Sequence, residues 1–145
     1  SNVTTKLDGG VYDDGHNTPL AGKFSYEYDK KAYKAGDDVT VKVKGHGMQS
    51  VNAFNFVLPY RPQDMRFVKA EAVAAKDMRN MTYDRHHSDG SQVLYPTFAN
   101  VGNQATLNGD ETLCELHFKA VRSFTVKQQA PKGMAVDKNL NELDF

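Results

Sequence analysis

The sequence predicts an all-β domain that folds as a sandwich of two sheets. Three observations carry this prediction: apolar and polar residues alternate over several short runs, turn signals separate these runs, and the aromatic residues are eight Phe and seven Tyr without any Trp. A period of two places successive side chains on opposite faces, as in a half-buried strand. Phe and Tyr also favour strands, and short strands punctuated by turns are typical of a β-sandwich.

The predicted strands begin after a polar lead-in. Residues 1–22 are rich in Gly, Asp, Asn and Thr and are predicted to be a linker or a loosely attached segment, whereas residues 23–145 form the folded domain. The alternation then appears in four runs: "FSYEY" (24–28), "DVTVKVK" (38–44), "VNAFNFVLPY" (51–60) and "TLCELHFKA" (112–120). In the last run Cys114, Leu116 and Phe118 should face the core, with the polar residues between them facing water.

Three further segments complete the predicted strand set. The run "FVKAEAVAAKDM" (67–78) alternates at its start and is rich in Ala, Lys and Glu afterwards, so it is predicted to be a strand followed by a turn or a short helix. The runs "QVLYPTF" (92–98) and "ELDF" (142–145) are predicted as strands. Turns are predicted at six Gly-, Pro-, Asp- or Asn-containing sites: 35–38, 45–47, 61–64, 88–90, 107–110 and 130–133.

Length and charge exclude several classes of protein. The 145 residues match one ordinary domain, and 18 basic against 18 acidic residues give no net charge. No basic stripe indicates nucleic-acid binding, and no apolar run approaches the roughly 20 residues of a membrane helix. Cys114 is the one cysteine, so no internal disulfide can form. The start at Ser-Asn-Val, without a signal peptide, suggests a domain cut from a longer protein.

Four segments carry a resemblance to a known family: "AGDDVTVKVKG" (35–45), "VNAFNFVLPYRPQDMRFVKAE" (51–71), "GSQVLYPTFANVG" (90–102) and "NGDETLCELHFKA" (108–120). In order and spacing they resemble the cohesin-like β-sandwich modules, which share a fold with several bacterial carbohydrate-binding modules. The resemblance implies an immunoglobulin-like or jelly-roll sandwich of about eight or nine strands. One position departs from the pattern, since cohesins usually place Asp after the Tyr of the second segment, where this chain has Arg61.

The resemblance also implies a function. The chain would be a non-catalytic accessory module of a larger bacterial glycoside hydrolase, located outside the cell, in the periplasm or on the cell surface. Its partner would be a calcium-loaded, dockerin-like protein module or a glycan. Three alternatives stay open: a docking module, a carbohydrate-binding module and a structural spacer without a ligand. A small hydrolase is the least favoured function, because no catalytic constellation is visible.

The octapeptide "YDRHHSDG" (83–90) is the most chemically loaded stretch of the chain. Adjacent His86 and His87 would point to opposite faces of a strand, so they should not share one metal ion. No metal-binding His or Cys spacing and no G-x-S-x-G motif occur in the sequence. We therefore predict no catalytic residue and no metal site, and interpret the stretch as a strand end followed by a Ser88-Asp89-Gly90 turn.

A binding rim is the function that this stretch could still serve. Tyrosines can stack on sugar rings, and the candidates outside the core pattern are Tyr33, Tyr60, Tyr83 and Tyr95. The predicted binding residues are Tyr60, Tyr83, His86, His87 and Tyr95.

Calcium is the one cofactor that the sequence hints at. The run Asp137–Glu142 begins like a calcium-binding loop, but Glu142 occupies the sixth position, where an EF-hand needs Gly, and the chain ends before the twelfth. We therefore predict an Asx-rich hairpin turn and no cofactor. Asp8, Asp13 and Asp14 could bind calcium in another way, although a solvated tail is the simpler interpretation.

Overall fold

The computed structural model describes residues 22–145, and these residues form strands, turns and loops without any helix. They therefore include no helix long and apolar enough to cross a membrane. Apart from Gly22, the predicted lead-in, with its three aspartates, lies outside the described residues. Twelve strands follow in chain order: β1 (Lys23–Tyr28), β2 (Ala32–Tyr33), β3 (Asp38–Tyr60), β4 (Met65–Ala72), β5 (Arg79–Asn80), β6 (Tyr83–His86), β7 (Gln92–Tyr95), β8 (Thr97–Ala99), β9 (Leu107–Ala120), β10 (Phe124–Thr125), β11 (Lys132–Asp137) and β12 (Glu142–Asp144).

Strand β3 belongs to both layers of the sandwich. Its first half pairs antiparallel with β1 and β9, and β9 pairs with β4; this layer is sheet one. Its second half pairs with β11, β7 and β8, which continue to β12, β6 and β5; this layer is sheet two. The prediction of an all-β sandwich is confirmed.

Four labelled strands of sheet two are segments of two longer, interrupted strands. β7 and β8 pair with β3 in one continuous register, with Pro96 between them, and β5 and β6 pair with them in a second continuous register. Pro96 interrupts the ladder because it has no N–H to donate, although its carbonyl oxygen still accepts the Phe56 N–H at 2.9 Å. Counted this way, residues 22–145 form eight strands besides the two-residue pair β2 and β10, as predicted.

The core lies between the two sheets and contains the apolar positions that the alternation predicts, together with residues that it does not, such as Leu94, Phe98 and Leu113. Phe24 of sheet one meets Phe56 of sheet two edge to face, with ring centroids 5.2 Å apart, and Phe118 meets Tyr60 in the same way at 5.1 Å. Cys114 is fully buried, and this burial raises the pKa of its thiol to about 12. The side chains that are fully or almost fully buried come from both sheets: Val39, Val41, Val43, Val51, Phe54, Phe56, Leu58, Leu94, Phe98, Leu113, Leu116 and Phe118.

Two predicted turns are wrong, because the chain bends there without reversing. Residues 45–47 lie inside β3, and residues 107–110 lie inside β9. The register between the two strands shifts between Gly45 and Met48 and again before Val51, which marks β-bulges. Gly47 and Gly109 have φ of 62° and 71°, and the Asp110 carboxylate accepts the Gly47 N–H at 2.8 Å. The glycines therefore supply the left-handed conformations of a bent double strand.

The remaining predictions fare better. Segment 67–78 is a strand to Ala72 followed by a turn, and the helical alternative is wrong. The Asx-rich hairpin between β11 and β12 is confirmed: the buried Asp137 carboxylate accepts hydrogen bonds from the Asn139 N–H, the Asn141 N–H and the Asn141 amide, at 2.8, 2.9 and 3.0 Å. The turn predicted at 130–133 is wrong, since residues 130–131 form no turn and Lys132 and Gly133 belong to β11.

Candidate functional site

The outer side of sheet two carries a patch without charge at its centre. Charged residues that pair with members of the patch border it: Lys132 opposite Val57, Glu142 opposite Val136, Asp144 opposite Met134 and Arg79 opposite Ala99. The members of the patch alternate with fully buried residues of β3, β7, β8 and β11, so they point away from the core. All of them are half-buried by their neighbours in the sheet. We call this patch the uncharged face, and it consists of Ala53, Asn55, Val57, Tyr95, Thr97, Ala99, Met134 and Val136.

The polar groups at the centre of the uncharged face bond to one another. Asn55 and Thr97 lie directly opposite on β3 and β8. The Asn55 amide donates to Thr97 Oγ1 at 2.6 Å, and that hydroxyl donates to the Tyr95 carbonyl oxygen at 2.9 Å. Because these hydrogen bonds are made within the sheet, covering the face would leave these particular groups paired.

One end of the uncharged face carries a cluster of aromatic and basic side chains. Tyr83 of β6 lies opposite Tyr95 of β7, and the rings stack with centroids 4.6 Å apart and an interplanar angle of 16°. The Arg85 guanidinium lies 5.8 Å from the Tyr83 ring centroid, which is a cation–π distance. His87 Nε2 and the Tyr95 hydroxyl are 3.1 Å apart. We call the segment 83–95 the rim hairpin.

The turn of the rim hairpin is the predicted Ser-Asp-Gly turn. The Gly90 N–H donates to the His87 carbonyl oxygen at 2.9 Å, and Gly90 has a φ of 90°. Asp89 accepts from the Ser91 hydroxyl at 2.7 Å and from the Ser91 N–H at 3.0 Å. These two bonds lower the pKa of the Asp89 carboxyl. The octapeptide is thus a hairpin end, as the sequence predicts.

The five predicted binding residues lie together but on two sides of the sheet. Tyr83, Tyr95 and His87 form the cluster at one end of the uncharged face, whereas Tyr60 and His86 point to the other side. Tyr60 donates its hydroxyl to the Asp84 carboxylate at 2.8 Å. Burial, and then this bond, raise the pKa of Tyr60. Whether any of the five contacts a ligand stays a prediction.

The two adjacent histidines have separate partners. His86 Nδ1 lies 2.9 Å from the Gln92 amide oxygen, and His87 bonds to Tyr95. Gln92 and Tyr95 are three positions apart on β7, so their side chains lie on opposite faces of the strand. The two imidazoles that bond to them therefore occupy opposite sides, as predicted.

One aromatic candidate from the sequence is wrong. Tyr33 is only 3% exposed. Its ring stacks on Phe124 at 5.3 Å, and its hydroxyl donates to Asp29 at 2.6 Å. The two-residue pairing of β2 with β10 encloses this side chain, so Tyr33 has no free face to offer a sugar.

A cleft of about 710 Å³ lies at the end of the sandwich beyond β3, and its lining includes Tyr28, Tyr60, Arg61, Arg122 and Phe124. Arg122 Nε donates to the Asp64 carboxylate at 2.8 Å, and Arg61 lies 3.9 Å from it. Sequence reasoning identified only Tyr60 as a candidate here, because the other residues come from separate strands and a loop without any motif. Arg61, the position that departs from the cohesin pattern, thus lies in this cleft and not on the uncharged face.

Comparison with known proteins identifies the fold. No family model matches the sequence, and no curated protein is similar enough to match it. Solved structures do match: a type II cohesin domain from the cellulosome of Acetivibrio cellulolyticus has a TM-score of 0.61 at 12% identity, over 83% of this chain and 86% of that one. A non-cellulosomal cohesin from the archaeon Archaeoglobus fulgidus reaches 0.55 at 18% identity, over 84% and 83%.

A third similar structure was solved with a partner. The sixth cohesin of the Acetivibrio cellulolyticus scaffoldin B, in complex with a mutant Cel5 dockerin, has a TM-score of 0.59 at 16% identity, over 84% of this chain and 92% of that one. The predicted cohesin-like fold is therefore confirmed: residues 22–145 fold as a cohesin-like β-sandwich.

Proposed function

We propose that this chain is a non-catalytic docking module, and that it binds a dockerin-like protein module through the uncharged face. The uncharged face is the observation that carries the proposal. The core of a protein interface is depleted of charged residues and enriched in Tyr and Met, and this patch contains Tyr95 and Met134 without any charged member.

The rim hairpin supports the same proposal. Interfaces surround their apolar centre with a polar rim and draw much of their binding energy from Tyr and Arg. Tyr83 is 44% exposed and is held by its stack on Tyr95, with Arg85 beside it. A side chain that is already fixed loses little conformational entropy when a partner covers it.

The departure at Arg61 does not oppose docking. Arg61 lies past the last residue of β3, pairs with Asp64 and lines the end cleft. A partner on the uncharged face would therefore contact β3, β7, β8 and β11 without meeting this guanidinium in its centre.

The cellular setting follows from the same resemblance. We propose that the module belongs to a larger secreted or cell-surface bacterial protein that degrades polysaccharide. One of the similar structures, the type II cohesin domain described above, comes from a cellulosome, which supports this setting.

The test compares two substitutions on the same strand. Val57 and Thr40 are both half-buried, outward-facing residues of β3, but Val57 lies in sheet two and Thr40 in sheet one. A panel of calcium-loaded dockerin modules is titrated by calorimetry against the unmodified chain, V57R and T40R. We expect at least one dockerin to bind, V57R to weaken it at least about 100-fold because an unpaired charge is desolvated, and T40R to bind normally.

Two results would count against docking through this face. One is that no dockerin binds the unmodified chain. The other is that T40R weakens binding as much as V57R, since that would place the contact elsewhere or reflect a general loss of folding, which thermal melts of both variants would reveal.

The end cleft favours glycan binding as a second candidate. It combines the aromatic rings of Tyr28, Tyr60 and Phe124 with the Arg122 guanidinium, and sites for small polar ligands combine apolar walls with a few polar groups in this way. Retention on a glycan array that R122A loses, without any dockerin binding, would support it. Negative results in both assays would favour the structural spacer.

A further inference from the structure

Three side chains that can coordinate metal ions meet on the outer side of sheet one, remote from the uncharged face. Glu115 and His117 lie on β9, and Glu71 lies on the edge strand β4, directly opposite Glu115. One ligand atom from each residue lies within 4.8 Å of the other two. His117 and Glu71 are 46 residues apart in the sequence, so no short motif announces the group.

The spacing of these atoms suits a tetrahedral metal ion. Zinc binds His nitrogen and carboxylate oxygen at roughly 2.0–2.2 Å, so two ligands at the tetrahedral angle lie about 3.4 Å apart. His117 Nε2 lies 3.0 Å from Glu71 Oε1 and 3.6 Å from Glu115 Oε1. Two of the three distances between ligand atoms are therefore close to the tetrahedral value, and the distance between the two carboxylate oxygens is at most 4.8 Å.

The two carboxylates of the group repel each other, and a cation between them would relieve that repulsion. Like charges directly opposite each other on neighbouring strands are destabilising, and Glu71 and Glu115 are such a pair. The pairing register places Lys42 opposite Glu115 and Lys69 opposite His117, so the two lysines flank the group from β3 and β4. A divalent ion between the carboxylates would remove the repulsion that the flanking lysines relieve only from the sides.

Thr40 gives the imidazole a partner on its far side. Thr40 Oγ1 lies 3.4 Å from His117 Nδ1, while Nε2 faces the carboxylates. Ligating histidines commonly use their second nitrogen for such a hydrogen bond, which holds the ring in place. Nδ1 can donate to the Thr40 hydroxyl when Nε2 is deprotonated and bound to metal.

We propose that Glu71, Glu115 and His117 bind a divalent transition-metal ion of the zinc type. A site with one imidazole suits zinc, cobalt or nickel, whereas calcium prefers six to eight oxygen ligands. The three protein ligands leave a fourth position for water. Because Glu71 lies on β4, which pairs only with β9 among the described strands, the ion would fasten this edge strand to the sheet and stabilise the folded state.

The experiment is a Zn²⁺ titration followed by thermal melting and calorimetry, on the unmodified chain and four variants, of which T40V removes only the hydrogen-bond partner of His117 Nδ1. H117A and E71Q each remove one ligand, and both positions are at the surface. The matched control is H86A/H87A, which removes two histidines from the rim hairpin instead. Co²⁺ is added in parallel, because its visible absorption reports tetrahedral coordination by protein ligands.

We expect Zn²⁺ to raise the melting temperature of the unmodified chain and of H86A/H87A equally. H117A should bind Zn²⁺ at least about 100-fold more weakly, and T40V, which lacks only the Nδ1 partner, about 10-fold more weakly. The absence of any Zn²⁺ effect on the unmodified chain would overturn the proposal. So would an effect that H117A keeps or that H86A/H87A loses. Docking is measured on the other face, so either proposal can fail without the other.

Discussion

The two outer faces of this sandwich are built on the same alternating pattern and differ in the charge of their central residues. Outward residues at the centre of sheet two form the uncharged face, and charged residues such as Lys132 and Arg79 lie only at its margin, whereas most outward positions of sheet one are ionisable side chains. We call the latter the charged face, and it consists of Glu27, Asp38, Lys42, Lys44, Arg66, Lys69, Glu71, Glu115, His117 and Lys119. Both faces lie over one shared core.

This difference shows which residues determine the fold and which determine the function. The inward residues of both sheets are apolar because they form the same core, so they say nothing about a partner. The outward residues do not need to be apolar, because they do not contribute to the core. On the charged face they make ion pairs with one another, such as Lys44 with Glu27 at 2.8 Å, which suits a surface in water. On the uncharged face they leave apolar area that a partner could cover.

The largest expected effect tests the shared core beneath the two faces. F54A in sheet two should lower the free energy of unfolding by about 3–5 kcal/mol, and L116A in sheet one by about 2–5 kcal/mol, because each leaves a cavity at a fully buried site. Urea denaturation measures both. If either variant lost less than about 1 kcal/mol, the two sheets would not depend on one core.

The next effect concerns the close approach of β11 to β3 in sheet two. A Cβ added at Gly133 would collide with the Asn55 carbonyl oxygen, and Gly133 has a φ of 149°. G133A should therefore cost at least about 2 kcal/mol in thermal or chemical denaturation.

The matched control for this prediction is Gly90. It has a φ of 90°, but no atom lies within 4 Å of the added Cβ. G90A should cost only about 1 kcal/mol of backbone strain. Equal losses in the two variants would show that β11 does not pack against β3 as described.

A smaller effect on stability is expected at high pH from Tyr60, which lies on the side of sheet two away from the uncharged face. The pKa of Tyr60 is raised by burial and by the Asp84 carboxylate. The unfolded chain releases this proton near pH 10 while the folded chain keeps it, so Tyr60 contributes stability at neutral pH that is lost as the pH rises above about 10. Y60F should cost about 0.5–1.5 kcal/mol at pH 7 and make the alkaline loss less steep.

D84N serves as the companion variant for Tyr60. It keeps a hydrogen-bond acceptor but removes the charge, so its pH profile should lie between those of the unmodified chain and Y60F. Denaturation curves between about pH 8 and 11 measure the profiles. A Y60F profile parallel to that of the unmodified chain would contradict the assignment.

The smallest effect is expected on the charged face. Lys119 Nζ lies 2.6 Å from Asp38 Oδ1, and the two side chains are 42% and 85% exposed. Exposed ion pairs are screened by solvent, so K119Q should melt at the same temperature as the unmodified chain. A clear decrease in the melting temperature would mean that the ion pairs of this face contribute to the stability of the folded sheet.

Local patterns in the sequence were enough to predict much of the core, but not Leu113, which is buried at a shift in the pairing register of β9. Alternation is a local property, so Phe54, Phe56 and Leu58 could be assigned to one face without knowing their partners. Turns were harder to predict, because a glycine signals that a positive φ is needed and not that the chain reverses. Gly47 and Gly109 use that freedom in bulges, whereas Gly90 uses it in a hairpin.

The candidate sites also differ in whether the local sequence predicts them. The rim hairpin was predictable because Tyr83 and Tyr95 lie on two strands joined by a short turn, so their proximity follows from local sequence. The group of Glu71, Glu115 and His117 was not, and neither was the cleft beside Arg122. Their members come together only through the pairing of strands that are distant in the chain, and no local pattern reports that pairing.

The double membership of β3 has a consequence for how fast the molecule can fold. Its first half pairs with β9 and its second half with β11, both of which come much later in the sequence. Asp38 thus lies opposite Lys119, and Val57 lies opposite Lys132. Closing such long loops costs chain entropy before any contact repays it. The rate-limiting step of folding should therefore require the pairing of β3 with β9 and β11. A chain truncated before β11 should collapse without reaching the native state.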